Sequence, residues 1–176
     1  MTDNGSNDKP TPTAARDALA KVKLLSVDVD GVLTDGGIYY ADDGNTFRRF
    51  NAKDGMGLVL LRRAGVEVTI ISAGAPGAIE ARARRLGIPH VFTEAHDKLA
   101  ILRDLCAELG IDMADAAHMG DDVNDIKLMA ATGLGIAPSD ALDTVLACAD
   151  VVARRPGGHG AVREVCDAIL AARGEV

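Results

Sequence analysis

Residues 24–35 read LLSVDVDGVLTD, an apolar run that ends in two aspartates and a glycine. A short apolar run closed by turn residues is a buried strand, and in a parallel α/β sheet the residues just past such a strand line the ligand crevice. The same pattern recurs along the chain: VEVTII (66–71), HVF (90–92), AAHM (116–119), GLGIA (133–137) and DVV (150–152). Between these runs lie amphipathic stretches. MGLVLLRRAG (56–65) is helical, and PGAIEARARRLG (76–87) opens on proline and closes on glycine, as helices do. Leu99, Leu102, Leu105, Cys106 and Leu109 share one helical face, and residues 123–131 form a further helix. Val162, Val165, Cys166, Ile169 and Leu170 mark a closing one. The only break in the alternation is at residues 38–41 and 46–50, two strand-like runs around Asp42-Asp43-Gly44-Asn45, which predicts an inserted β-hairpin. The expected fold is α/β: a doubly wound, Rossmann-type parallel sheet with a β-hairpin after strand one and no cap domain.

A chain of 176 residues with 48% hydrophobic and 26% charged side chains is one ordinary globular domain, which excludes disorder throughout. Aromatic residues make up 3% and Trp is absent, so the core is aliphatic. The polar, proline-containing residues 1–20 read as a disordered tail and 21–176 as the domain. With 26 acidic against 19 basic side chains the net charge is -7, which repels a nucleic-acid backbone. An anionic small substrate then needs positive charge supplied locally, by a metal ion, a lysine or helix N-termini. Cysteines 106, 148 and 166 have neither CxxC nor histidine partners and read as buried thiols in a reduced compartment. No apolar run approaches the ~18 residues of a membrane span, which points to the cytoplasm and away from a membrane.

The strand ends carry the chemistry. Asp28 and Asp30, two apart on an extended chain, face one site, and two carboxylates that close call for a divalent cation or a shared proton. One can attack phosphorus while the other delivers a proton to the leaving oxygen. Gly31 removes a side chain where backbone must approach the phosphate. Past a later strand, GDDVND (120–125) adds Asp121, Asp122 and Asp125. Hard oxygen ligands with phosphate suit Mg²⁺, although one of Asp122 and Asp125 serves to cap the following helix. Ser72, with Ala73 and Gly74, forms a small turn able to hold a phosphate oxygen, though a serine after a strand is unremarkable by itself. Lys98 opens a helix, where the dipole disfavours a cation, and the misfit is resolved if its ammonium points into the carboxylates. His159 among glycines, and Arg82 of a basic run that otherwise reads as a solvated helix face, are candidate substrate contacts.

The order Asp-x-Asp-Gly-x-x-Thr, Ser72, Lys98, Gly-Asp-Asp-x-x-Asp resembles the haloacid dehalogenase superfamily. Within it, TDGGIYY, FNAKDGMG, LGIPHVF, GDDVND and PGGHGAVREVCD are similar to the small capless 3-deoxy-D-manno-octulosonate 8-phosphate phosphatases, over about residues 24–170. The resemblance implies Asp28 as the nucleophile forming an aspartyl-phosphate and Asp30 as general acid and base. Mg²⁺ would be held by Asp28, the Asp30 carbonyl and Asp121, with Asp122 in support, and Ser72 and Lys98 would grip the phosphoryl group. It also implies a small-molecule sugar-acid phosphate as substrate, a setting in lipopolysaccharide biosynthesis, and a homotetramer. The aromatic-rich 38–50 hairpin is the expected joint between subunits.

The chain departs from that pattern after strand two. The octulosonate phosphatases are similar to Thr-Gly-Arg there and their nonulosonate 9-phosphate relatives to Thr-Gly-Glu, whereas this chain has Ser72-Ala73-Gly74; Thr93-Glu94 stands where Gln-Gly is usual. The nonulosonate, sialic-acid-type activity is therefore the alternative, and Gly74→Arg is expected to raise octulosonate turnover. Readings of another class are a signalling receiver domain, which places its phosphorylated Asp on strand three, a catalytically inactive oligomerisation module, and a phosphomutase, which needs a lid.

Overall fold

The computed structural model describes residues 10–12 and 15–175. Six parallel strands form the sheet: β1 (Leu24–Val27), β4 (Glu67–Ile71), β5 (His90–Phe92), β6 (Ala116–Met119), β7 (Leu134–Ala137) and β8 (Val151–Val152), in the order β5-β4-β1-β6-β7-β8. Every neighbouring pair is parallel. The strand order reverses between β1 and β6, and the carboxyl ends of those two strands are where the fold opens a crevice. A separate two-stranded sheet, β2 (Tyr39–Tyr40) and β3 (Thr46–Phe47), pairs Tyr39 with Phe47 and is the inserted hairpin. Among the described residues no cap domain follows it.

Helices cover both faces because strand side chains alternate. Leu25 and Val27 point into the larger core, built with helices α1 (Arg16–Leu19), α2 (Ala52–Arg63), α3 (Pro76–Leu86) and α7 (Ala161–Arg173). Leu24 and Ile71 face the other way, onto α4 (Lys98–Leu109) and α5 (Ile126–Met129). A third cluster around Met129, Ala137 and Val145 seats α6 (Asp143–Cys148).

Several sequence boundaries move. The domain begins before residue 20: Leu19 of α1 is fully buried in the main core, and the Pro10 carbonyl accepts a hydrogen bond from Val152 N. One buried leucine anchors this single turn, too short a segment for periodicity to register. The rest of the expected tail, residues 1–9, 13 and 14, lies outside the described residues. Helix α2 starts four residues earlier than hydrophobic periodicity indicates, because Asn51 caps it by accepting from Lys53 N at 2.8 Å. Helix α6 lies in a stretch, 138–149, to which the sequence pattern assigns no element, and Cys148 at its end is exposed, not buried; Cys106 and Cys166 are buried, and all three are free thiols. Among the described residues no helix is long and apolar enough to cross a membrane.

Candidate active site

Asp28 follows β1 directly, and its N–H still bonds Met119 O of β6 at 3.0 Å, so the chain leaves the sheet at the switch point. The turn beyond is held internally. Asp28 Oδ1 accepts from Val29 N at 2.7 Å, while buried Thr34 donates to Val29 O and accepts from the Gly31 and Gly36 amides. Gly31 has φ +85°, and a Cβ built there would strike the carboxylate of Asp121. Both conformation and space require glycine.

Asp121, after β6, meets Asp28 across this turn. One carboxylate oxygen from each of Asp28, Asp121 and Asp125 lies within 4.8 Å of the others. Lys98, at the N-terminus of α4, does point inward: Nζ is 2.8 Å from Asp28 Oδ2 and 2.6 Å from Asp125 Oδ1, with 2% of its side chain exposed. Burial alone would lower the lysine pKa, but the charges of Asp28 and Asp125 hold it above its ordinary value. Burial, with Asp125 adding, raises Asp28; Lys98 only partly offsets this. In Asp125, burial works upward, yet the bonds from His118 and Lys98 prevail and bring it down to about 2.

Asp125 is an organising group. Its Oδ1 accepts from Lys98 and from His118 Nε2 at 3.0 Å, its Oδ2 accepts from the amides of Asp121 and Asp122, and His118 Nδ1 in turn hydrogen-bonds Ser26 Oγ at 3.0 Å. Both its oxygens are thereby saturated. Asp122 stands outside the cluster, exposed, with Oδ1 accepting from Val123 N at 2.6 Å. Asp122, which the resemblance places in support of the cation, thus turns outward, while Asp125 lies inside the cluster. Asp121 is different again: buried Oδ1 has no hydrogen-bond partner, and desolvation, followed by the charges of Asp28, Asp125 and Asp122, pushes its pKa up to about 7. An orphaned buried carboxylate oxygen beside a second carboxylate is what a small hard cation satisfies, and this all-oxygen donor set fits Mg²⁺.

The other side of the crevice comes from β4 and the hairpin. Ser72 is buried, and its Oγ accepts from Gly74 N at 3.2 Å; Ala73 is exposed. Asp30 faces this turn, but its carboxylate is already engaged: Arg48 Nε donates to Oδ1 at 2.7 Å and Nη2 to Oδ2 at 3.1 Å. A Cβ on Gly74 would lie 2.9 Å from that Nη2. The space that an arginine at position 74 would start from is therefore bordered by Arg48, and the expectation that Gly74→Arg improves turnover loses its structural basis.

The C-terminal PGGHG segment closes the floor. Gly157 lies so near Gly31 O that a Cβ would collide with it; Gly158 N donates to Val32 O, and Asn51 Nδ2 donates to Gly158 O. Fully buried Asp54 of α2 accepts from Gly160 N and Arg163 N at the start of α7. His159 donates from Nδ1 to Gly157 O and accepts from Arg49 at Nε2, so it stands at the rim through Arg49, which also reaches Asp35. Within one chain Arg82 does not reach the acidic cluster. Its guanidinium donates to Asn51 O at 3.1 Å and lies 5.7 Å from the Phe50 ring centroid, a packing role that its place in a basic run concealed.

Sequence reading missed Arg48, Asp54 and His118. For His118 there was a signal, a lone polar side chain in the apolar strand AAHM two residues before GDD; Arg48 and Asp54 find partners 18 and more than 100 residues away. A cavity of about 720 Å³ is lined by Arg16, Lys53, Arg154, Arg155, Arg163 and neighbours and by none of the acidic cluster.

Residues 77–164 match the model of the haloacid dehalogenase-like hydrolases. The chain is 40% identical over 163 residues to the 3-deoxy-D-manno-octulosonate 8-phosphate phosphatase KdsC of Escherichia coli K12, covering 91% of this chain and 87% of that one. The crystal structure of the Yersinia pestis phosphatase of the same name superposes with a TM-score of 0.90 at 40% identity, covering 92% of this chain and 87% of that one. That of Moraxella catarrhalis, in complex with magnesium ion, phosphate ion and a KDO molecule, gives 0.88 at 36% identity, with 90% and 91% covered. The cluster of carboxylates and lysine at the switch point, on a sheet shared with these proteins nearly end to end, makes the chain a member of the haloacid dehalogenase-like hydrolases, in the 3-deoxy-D-manno-octulosonate 8-phosphate phosphatase family.

Proposed function

We propose that the protein is a Mg²⁺-dependent phosphatase that hydrolyses a phosphorylated sugar acid, 3-deoxy-D-manno-octulosonate 8-phosphate, to the free acid and phosphate. The observation that carries the reading is the buried Asp28–Lys98–Asp125 chain next to the orphaned oxygen of Asp121. Together these supply a nucleophile, a fixed positive charge and a place for a cation within one crevice.

In this mechanism a carboxylate oxygen of Asp28 attacks phosphorus, the bond from phosphorus to the sugar oxygen breaks, and that oxygen takes its proton from Asp30. Water then attacks the aspartyl-phosphate, passing a proton back to Asp30 and restoring Asp28 as inorganic phosphate leaves. Lys98, held by Asp125, keeps Asp28 oriented and neutralises the equatorial oxygens, and Ser72 Oγ with the Gly74 amide borders the phosphoryl position. Asp28 and Asp121 would hold Mg²⁺. The cation supplies charge neutralisation for the phosphoryl oxygens.

A steady-state screen of phosphate esters with Mg²⁺ tests the substrate class, with Asp28→Asn as the chemical control. Turnover of the octulosonate phosphate above glucose 6-phosphate, abolished in Asp28→Asn, is expected. Glucose 6-phosphate equal to or better than every ulosonate phosphate refutes the substrate class, and full activity of the Asn variant refutes the mechanism. Preference for a nonulosonate 9-phosphate would move the assignment to the sialic-acid-type activity.

We further propose a homo-oligomer, a tetramer by resemblance, acting in the cytoplasm on the sugar acid used in lipopolysaccharide biosynthesis. Tyr39, Tyr40 and Phe47 are 55%, 75% and 59% exposed on a hairpin of two residues per strand, a concentration of apolar surface that packing against a second copy would bury. It would also cover the crevice. Light scattering giving the monomer mass at micromolar protein refutes this.

A further inference from the structure

Arg48 hangs from the exposed hairpin, yet only 5% of its side chain is accessible, because it reaches back to close a two-pronged pair on Asp30. A planar guanidinium fork is the geometry by which arginine recognises a carboxylate. Two features separate this pair from an ordinary structural ion pair. It engages both oxygens of the residue needed for proton transfer, so a proton or a leaving group at either oxygen must compete with the fork. The fork also depends on Gly74: a Cβ there would lie 2.9 Å from Arg48 Nη2, 3.0 Å from Asp30 Oδ2 and 3.1 Å from Ile79 Cδ1. Gly74 is not among the glycines of positive φ, so the missing side chain serves space and not backbone conformation.

We propose that Arg48 is the specificity residue for the acid function of the substrate: in the free enzyme it clamps Asp30, and the carboxylate of the incoming sugar acid takes over the guanidinium and frees Asp30. The exchange replaces one carboxylate–guanidinium pair by another, with no covalent change and no loss of charge pairing. A phosphate ester without a carboxylate must open the fork uncompensated. The difference amounts to about a ten- to hundredfold preference for acids. The inference rests on the sugar-acid reading of the substrate and adds to it the residue that enforces it.

The test compares kcat and KM on 3-deoxy-D-manno-octulosonate 8-phosphate and on p-nitrophenyl phosphate, which carries no carboxylate, for the wild type, Arg48→Met, Arg48→Lys and Gly74→Ala. In Arg48→Met the ratio of kcat/KM for the sugar acid to that for the aryl ester is expected to fall at least about tenfold, chiefly through a higher KM for the sugar acid. Arg48→Lys, which keeps the charge and loses the fork, should fall between, and Gly74→Ala should move the ratio the same way. If Arg48→Met does not fold, the last two variants carry the comparison. A ratio within about twofold of the wild type, whether both efficiencies drop together or neither does, overturns the clamp and leaves a structural ion pair. A wild type that itself prefers the non-acid ester overturns the sugar-acid reading and the clamp together, whereas a wild type that prefers the acid with variants of unchanged ratio overturns the clamp alone.

Discussion

Replacing Lys98 by Met removes a cation from a site where nothing else can take its place. Met fills similar volume, so no large cavity contributes. The lysine side chain is 2% exposed, and the partners it leaves behind, Asp28 and Asp125, are 7% and 0% exposed. Breaking a buried charge pair on one side costs about 3–5 kcal/mol. Asp125 keeps His118 and two backbone amides, which favours the lower end, about 3 kcal/mol. In a chain of this size each kcal/mol moves Tm by roughly 2–4 °C, so thermal unfolding in EDTA should begin about 6–12 °C lower. Mg²⁺, which brings charge to Asp28, should restore part of the difference. Turnover should drop at least about a hundredfold even where the variant is folded, as when a single preorganised donor is deleted from a reaction site. A Tm within about 2 °C of the wild type without metal would show that the Asp28–Lys98–Asp125 chain is not a coupled, desolvated unit.

Three further outcomes are expected. Gly31→Ala should abolish Mg²⁺-dependent turnover and the rise in Tm on adding Mg²⁺, because the new methyl occupies the position of the Asp121 carboxylate and the φ of +85° is strained for alanine; a retained Mg²⁺ shift refutes it. Below about pH 7 the metal-free protein favours a proton on Asp121, whose pKa of about 7 exceeds the ordinary 3.8, so this group's contribution to stability is complete at low pH and is lost as pH rises through about 7. Mg²⁺ must displace that proton, and its Tm increment should therefore be small near pH 5.5 and larger near pH 8 by roughly the degree of Asp121 ionisation; an equal increment at both would be contrary to it. Glu94 has φ 53° on the exposed loop before α4, a conformation costly for a side chain, so Glu94→Gly should raise stability by up to about 1 kcal/mol in urea titration, and a loss would refute the strain.

Much of this fold was legible because strands that end in acids advertise both the sheet and its crevice. LLSVDVD and AAHMGDD placed Asp28 and Asp121 at the two strand ends that flank the reversal of strand order, without any knowledge of that order. Lys98 was legible through a violated rule, a cation at a helix N-terminus. What escaped reading was of two kinds. Helices α1 and α6 are short turns, each holding a single buried residue, Leu19 and Val145, so no period existed to be counted. Arg48, Asp54 and Arg82 owe their roles to partners distant in sequence, and their own neighbourhoods look like those of solvated charges. Asp122 and Asp125 were interchangeable on paper; only the backbone of the turn, which aims one outward and buries the other under Lys98 and His118, separates them.

The glycine floor at residues 157–160 has a consequence for how the enzyme comes into being. The loop that carries Asp28 and Asp30 is held from below by a segment translated more than a hundred residues later, through Gly158 to Val32, and that segment is itself tied to α2 through Asp54 to Gly160 and Arg163. At a synthesis rate of about 5–20 residues per second, several seconds separate the first aspartate from the glycines that fix its loop. During that interval the nucleophile's turn has only its internal bonds, those of Thr34 and of Val29 N, to hold it. Competence for chemistry thus arrives as one of the last events of synthesis, after the sheet has been laid down, and a chain stopped short of Gly157 would carry every acid of the site yet lack the floor beneath them.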